Sequence, residues 1–229
     1  MEAAWCDLEQ MEYDRAYSLQ TRLVELCRRR RQSVFILNVE HPRVFTLGRR
    51  GGREHLMVSP ERLEAEGIQL VQIERGGEIT YHGPGQLVLY PIFHLRSLGL
   101  SVSAYVELLE EVMLRTAADH GIRACRDPRN HGVWVGDDKL GSIGIAIRHG
   151  VTFHGLALNV NTELTPFGWI NPCGLTNTRM TSFACQGQAP EPREVQQRLN
   201  HHLAALLNLT LTPTPLTTLE AALEAARKD

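Results

Sequence analysis

No apolar run in this sequence approaches the ~18 residues that a membrane-spanning helix requires. Acids and bases are scattered through its first thirty residues, so no secretory leader is read there and no membrane association is expected. The five cysteines (Cys6, Cys27, Cys125, Cys173 and Cys185) contain no CxxC pair. The ten histidines show neither HExxH nor HxxxH, which argues against structural zinc. An odd, irregularly spaced cysteine set reads as free thiols in a reducing compartment, so a cytoplasmic protein is expected. A net charge of −2 lacks the basic excess for broad phosphate neutralisation, and no nucleic-acid partner is read. Repeats, low-complexity tracts and long linkers are missing as well.

What remains fits one domain over residues 1–229, with hydrophobic residues at 43% sufficient for a sizeable core. Residues 12–31 place Ala16, Leu19, Leu23, Leu26 and Cys27 at three- and four-residue steps, which predicts an amphipathic helix with Cys27 filling the core. Strands are predicted at 33–40, 43–48 and 68–74. A short helix from Pro60 to Glu66, stopped by Gly67, lies before the third. Residues 86–93, QLVLYPIF, form a continuous apolar run expected of a strand buried on both faces. A second amphipathic helix covers 103–120. Strands at 132–136, 139–150 and 151–160 follow, with a hairpin turn at Arg148-His149-Gly150. Segments 190–207 and 217–228 read as closing helices. Strands arrive in clusters, not in strict βαβ alternation, so the expected class is α+β, a mixed β-sheet flanked by α-helices.

Three stretches carry chemistry. ERGGEITYHGPGQ (74–86) packs four glycines and a proline between two predicted strands. It reads either as a long hairpin loop or as a ligand loop with Arg75 and His82 as donors at the rim. It matches neither GxGxxG nor a P-loop. DDKLGSIG (137–144) sets Lys139 at the start of an apolar strand, as a solvated edge guard or as a partly buried amine facing a site. Cys173, between Pro172 and Gly174, suggests a rigid loop and a thiol that a nearby cation would activate. Elsewhere, His154 reads equally as core or pocket wall, and His201-His202 as surface. Arg28–Arg31 read as a helix terminus, with acidic docking as the alternative.

RGGEITYHGPGQLVLYP, GVWVGDDKLGSIGIAI, FHGLALNVNTELTPFGWINPCG and the upstream HPRVFTLG together resemble the lipoyl(octanoyl) transferase family across roughly residues 10–185. The resemblance implies the biotin/lipoate protein ligase-like catalytic fold, with a helical C-terminal segment at about 190–229. It makes Cys173 the acyl-thioester nucleophile and Lys139 its acid–base partner. The acyl pocket is then lined by Arg75, Gly76, Gly77, Glu78, Ile79, Thr80, Tyr81 and His82, by Ser142, Ile143 and Gly144, and by Gly155, Leu156 and Ala157. One departure is Gly141, where Cys or Ala is expected.

The implied donor is octanoyl-acyl carrier protein. The implied acceptors are lipoyl domains of 2-oxoacid dehydrogenase E2 subunits and the glycine cleavage H protein. Neither cofactor nor metal is required, and a monomer is expected. Basic residues at Arg28–Arg31 or at Arg49, Arg50 and Arg53 are candidates for docking an acidic carrier. Two rival readings stand: an ATP-dependent lipoate or biotin ligase, to which Cys173 is a bystander, and a silent module that only holds its partners.

Overall fold

The computed structural model describes residues 1–171 and 179–227, so the expectation for Cys173 falls outside the described residues. The elements in chain order are β1 (Glu2–Gln10), α1 (Tyr13–Arg29), β2 (Val34–Glu40), β3 (Val44–Leu47), α2 (Pro60–Ala65), β4 (Gln69–Gln72), β5 (Ile79–His82) and β6 (Gln86–Phe93). They continue as α3 (Val102–Asp119), β7 (Gly132–Val135), β8 (Asp138–Arg148), β9 (Val151–Asn159), β10 (Arg179–Met180), α4 (Pro192–Leu207), β11 (Thr210–Pro213) and α5 (Leu216–Ala226). All helices and the apolar strands predicted from periodicity are present within a few residues of their expected bounds. Strands β1, β5, β10 and β11 were not anticipated.

Seven strands run in the order β10-β8-β9-β6-β2-β1-β11, and β7 pairs with β8 to complete a mixed eight-stranded sheet. A smaller sheet has the order β4-β3-β5. Alternation along the central strands builds two cores. On β6, Leu87, Leu89 and Phe93 join the core under α3 and α4, while Val88, Tyr90 and Ile92 face α1 and α5. Cys27 fills the second core as expected, and burial pushes its thiol up to about 12. A third, smaller core joins the small sheet to Phe167 and Ile170.

The β8–β9 hairpin turns through His149 (φ 52°) and Gly150 (φ 79°), the two positive φ values of a tight hairpin that matches strand twist. Its ladder then runs from Arg148↔Val151 to Gly141↔Leu158. The β6–β9 ladder stops at Leu89↔Leu156, beside Pro91, which has no N–H to offer. Beyond that point His154 adopts φ 56°, and Gly155 lies where a Cβ would overlap the Leu89 carbonyl and approach Pro91 Cδ at 2.9 Å. The close passage of β9 against β6 therefore depends on a missing side chain. Gly155→Ala is expected to lower the unfolding free energy by about 1–3 kcal/mol, the usual cost of overpacking. Chemical denaturation measures it, and an unchanged midpoint would contradict this packing.

Candidate active site

Residues Ser142 and Gly144 of β8 and Ala157 of β9 are small where neighbouring strand positions are large. Their missing volume, roofed by β5 and the loop preceding it, leaves a cavity of about 460 Å³, within the size range of small-molecule sites. Of the pocket residues named from the sequence, Arg75, Gly76, Gly77, Glu78, Ile79, Thr80 and His82 line it, as do Ser142, Ile143, Gly144, Gly155, Leu156 and Ala157. Tyr81 does not. It packs against Phe45 and Phe167 in the third core, because alternation on β5 sends it away from Thr80 and His82.

The stretch 74–86 is thus no simple loop. Ile79–His82 pair with β3 in register Leu47↔Ile79 to Val44↔His82, as a β-branched and aromatic segment favours. Nor are Arg75 and His82 rim donors, since each is only 7% exposed. The Arg75 guanidinium donates to the Thr46 carbonyl at 2.6 Å, to Thr46 Oγ1 at 2.9 Å and to the Gly76 carbonyl at 3.0 Å. It thereby holds the glycine loop onto β3. A Cβ on Gly144 would sit 2.7 Å from Arg75 Cδ, so this glycine gives the arginine stem its channel.

Lys139 occupies one end of the cavity. It is 7% exposed and flanked in the sheet by Trp134 of β7 and Met180 of β10, which rules out the edge-guard reading. A register shift sets Val133 opposite Gly141 but Trp134 opposite Lys139, leaving Leu140 as an extra residue in β8. Such a bulge re-aims side chains, here toward the cavity. The Nζ donates to Asn130 Oδ1 at 2.8 Å and lies 5.4 Å from the centroid of the Trp134 ring. Gly132, at φ 130°, sits where a Cβ would come within 2.9 Å of Lys139 Cε. Asn130, Gly132 and Trp134 were missed from the sequence, because their role exists only once β7 lies beside β8. Gly141 is also explained: the Met113 sulfur lies 2.6 Å from where its Cβ would stand, filling the space of the expected Cys or Ala.

The other end is a buried network of histidine and tyrosine. Ile145, which pairs with His154, is six residues along β8 from Lys139, or about 20 Å of strand. His41 Nδ1–H donates to the Met11 carbonyl at 2.8 Å, so its Nε2 accepts the Tyr90 hydroxyl proton at 2.8 Å. The Gln86 amide donates to Asn159 Oδ1, which leaves Gln86 Oε1 to accept from His82 Nδ1 at 2.6 Å. His154 is both core and wall: it lines the cavity, stacks on Tyr17, and stands 3.4 Å from the Tyr13 hydroxyl. Desolvation lowers all three imidazoles, His41 to about 4 and His82 and His154 to about 3. The Arg75 charge pushes His82 and His154 further down. The imidazoles at this end are therefore neutral, and its charge is the Arg75 guanidinium. His201 is exposed as expected, and His202, half-buried, bonds Asp119 at 2.8 Å.

This arrangement is that of a known fold. A bi-partite lipoate protein ligase from Thermoplasma acidophilum superposes with a TM-score of 0.75 at 19% identity, covering 100% of this chain and 91% of that one. A lipoate-protein ligase A bound with ATP superposes with a TM-score of 0.69 at 16% identity, covering 100% and 94%. These likenesses define the fold class, a lipoate-protein-ligase-type catalytic domain of mixed sheets and flanking helices. The family model described as lipoyl protein ligase A/B catalytic domain matches residues 12–204, and the chain belongs to that family. It is similar to an octanoyltransferase of Desulfotalea psychrophila, 61% identical over 166 residues that cover 71% of this chain and 74% of that protein. It is also similar to an octanoyltransferase of Syntrophobacter fumaroxidans, 45% identical over 221 residues covering 95% and 96%.

Because the three imidazoles are neutral when folded and have pKa near 6.5 when unfolded, their contribution to stability is full above about pH 6.5. It is lost as pH falls toward about 4 for His41 and about 3 for His82 and His154. Each adds a slope of up to roughly 1.4 kcal/mol per pH unit in that window. Urea unfolding at pH 7.5 and pH 5 is expected to show a marked acid loss that His82→Gln reduces; equal stability at the two pH values would contradict the buried neutral cluster.

Proposed function

We propose that this protein is an octanoyltransferase of lipoate biosynthesis, which moves an octanoyl group from octanoyl-acyl carrier protein to the target lysine of a lipoyl domain. The acceptors are the lipoyl domains of 2-oxoacid dehydrogenase E2 subunits and the glycine cleavage H protein. The observation that carries this reading is a buried ammonium, Lys139, held at one end of a chain-sized cavity in a relative of octanoyltransferases.

In the first step the Cys173 thiolate attacks the donor thioester, and the departing pantetheine thiol takes a proton from the Lys139 ammonium. The amine of the acceptor lysine then attacks the acyl-enzyme. Its proton passes to the neutral Lys139 amine, and Cys173 leaves as thiolate. Both steps conserve protons, and a thioester becomes an amide without ATP. The return of the chain to Lys139 soon after Cys173 supports the pairing: Met180, seven residues on, lies opposite Lys139, and Thr181 N–H donates to its carbonyl at 2.9 Å. Burial of roughly six methylenes at about 0.8 kcal/mol each would supply about 5 kcal/mol of acyl binding. The protein acts as a cytoplasmic monomer of one domain.

Of the two basic patches, Arg49, Arg50 and Arg53 suit carrier docking better. All three are exposed, and Arg50 lines the cavity. Arg28 is bonded to Glu25 and Arg29 to the Ala226 carbonyl at the end of α1, among residues that do not line the cavity. Arg50→Glu is expected to lower kcat/KM for the acyl-carrier donor at least tenfold at low salt and much less at high salt. A salt-independent effect, or none, would remove Arg50 from docking.

The direct test is intact mass after incubation with octanoyl-acyl carrier protein. One octanoyl adduct, labile to hydroxylamine and missing from Cys173→Ala, is expected. Full activity of Cys173→Ala with free octanoate and ATP would instead establish a ligase.

A further inference from the structure

Lys139 reaches its place through a slot made by one short segment, residues 127–134, at one end of the cavity that β5, β8 and β9 also line. Asn130 Oδ1 accepts from Nζ at 2.8 Å. The asparagine is itself held: its carbonyl accepts from Trp134 Nε1 at 3.3 Å, and its N–H donates to the Asp127 carbonyl at 3.4 Å. Behind it, α3 supplies Glu110, 5% exposed, whose Oε1 accepts from Gly132 N–H at 3.1 Å and from His131 Nδ1 at 3.2 Å. The start of β7 is thus pinned to α3 by a buried carboxylate, and the Asn130 oxygen is delivered to the ammonium by the pinned backbone.

We infer that Asn130 is the positioning residue of Lys139, holding its Nζ at the mouth of the cavity in the rotamer that proton transfer requires. The inference rests on the acid–base role proposed for Lys139. A long lysine side chain loses up to about 2 kcal/mol of rotamer entropy when fixed, and a preset acceptor means the reaction does not bear that cost at each turnover. An amide oxygen suits the task better than a carboxylate. It accepts a proton of the ammonium but adds no negative charge, so the amine can still give its proton up in the step that needs it neutral. Among the described residues, charged or titratable groups around the slot include Asp127, whose carboxylate also feels the Lys139 charge, and Arg129 on the same segment, Asp137 beside Arg129, Glu110 with Arg126 and His131 behind Gly132, and the Asp138–Arg179 pair on the adjoining strands. The carboxylates of Asp127 and Asp138 are each paired with an arginine, at 2.8 Å in both cases. Asn130 supplies a neutral acceptor at Nζ.

The test uses the full-length enzyme with octanoyl-acyl carrier protein and a lipoyl-domain acceptor, comparing Asn130→Ala, Asn130→Asp and Lys139→Ala. Asn130→Ala is expected to lower kcat tenfold or more with KM for the donor unchanged, and to move the pH profile to lower pH, since an acceptor for the charged form is lost. Asn130→Asp places a carboxylate against the ammonium and is expected to move the profile upward by about one to three pH units. The pH dependence of Lys139 labelling by an amine-reactive anhydride, read by peptide mass, must move in the same directions. Wild-type rates and profile in Asn130→Ala beside an inactive Lys139→Ala would overturn the assignment of Asn130 alone. A lower rate with unmoved pH and labelling profiles would make Asn130 merely structural and overturn it equally. Retained activity in Lys139→Ala would remove the proposed chemistry itself, and this inference with it.

Discussion

Only 7% of Lys139 is left in solvent, and removing an ammonium from water costs several kcal/mol unless acceptors replace the lost hydration. Much of the local architecture follows from that single requirement. The bulge at Leu140 turns the side chain inward, Gly132 yields the volume its stem occupies, and Trp134 and Asn130 supply a π-face and an oxygen at its tip. Those groups are in turn fixed by Glu110 on α3 and by the pairing of β7 with β8. Loosening any member leaves a buried cation with fewer partners, so folding and the amine geometry depend on the same contacts.

Charge is partitioned along the cavity. Lys139 brings a cation to one end, whereas the other holds three imidazoles that burial keeps neutral, with the Arg75 charge acting further on His82 and His154. Arg75 donates to Thr46 and to the Gly76 carbonyl, which ties the glycine loop to β3. The Arg75 guanidinium is thereby engaged by neutral oxygens of the protein at the cavity wall. A neutral acyl chain is compatible with such walls, and a carboxylate-bearing tail would find no charged partner among the neutral imidazoles.

How much of this the chain discloses by itself depends on the range of the interaction. The helices and the apolar strands follow from local periodicity, and Cys27 on the stripe of α1 was legible as core. The hairpin at His149-Gly150 was legible from turn chemistry. Strand β5 was not, because four glycines around it mask a four-residue segment whose partner, β3, lies over thirty residues upstream. The lysine slot escaped for the same reason: nothing in RNHGVW announces that Asn130 will meet Lys139 until a bulged register brings them together. Tyr81 shows the converse error. Its motif placed it in the pocket, but its ring packs between Phe45 and Phe167 in the third core.

The same scaffold is found in proteins described as ATP-bound ligases, so the fold alone does not decide the chemistry. What decides it is where activation is stored. A free carboxylic acid must be activated before a lysine can attack it, and ATP serves that end. A thioester donor arrives activated and needs only a nucleophile to receive the acyl group and an acid–base group to manage two protons. In the mechanism proposed above Lys139 meets the second need, with the Asn130 amide as a neutral acceptor at its nitrogen. An amine that must be protonated in one half-reaction and neutral in the next cannot be locked against a carboxylate. On the mechanism proposed above, an asparagine at position 130 suits that alternation, because its amide oxygen accepts from Nζ without adding charge.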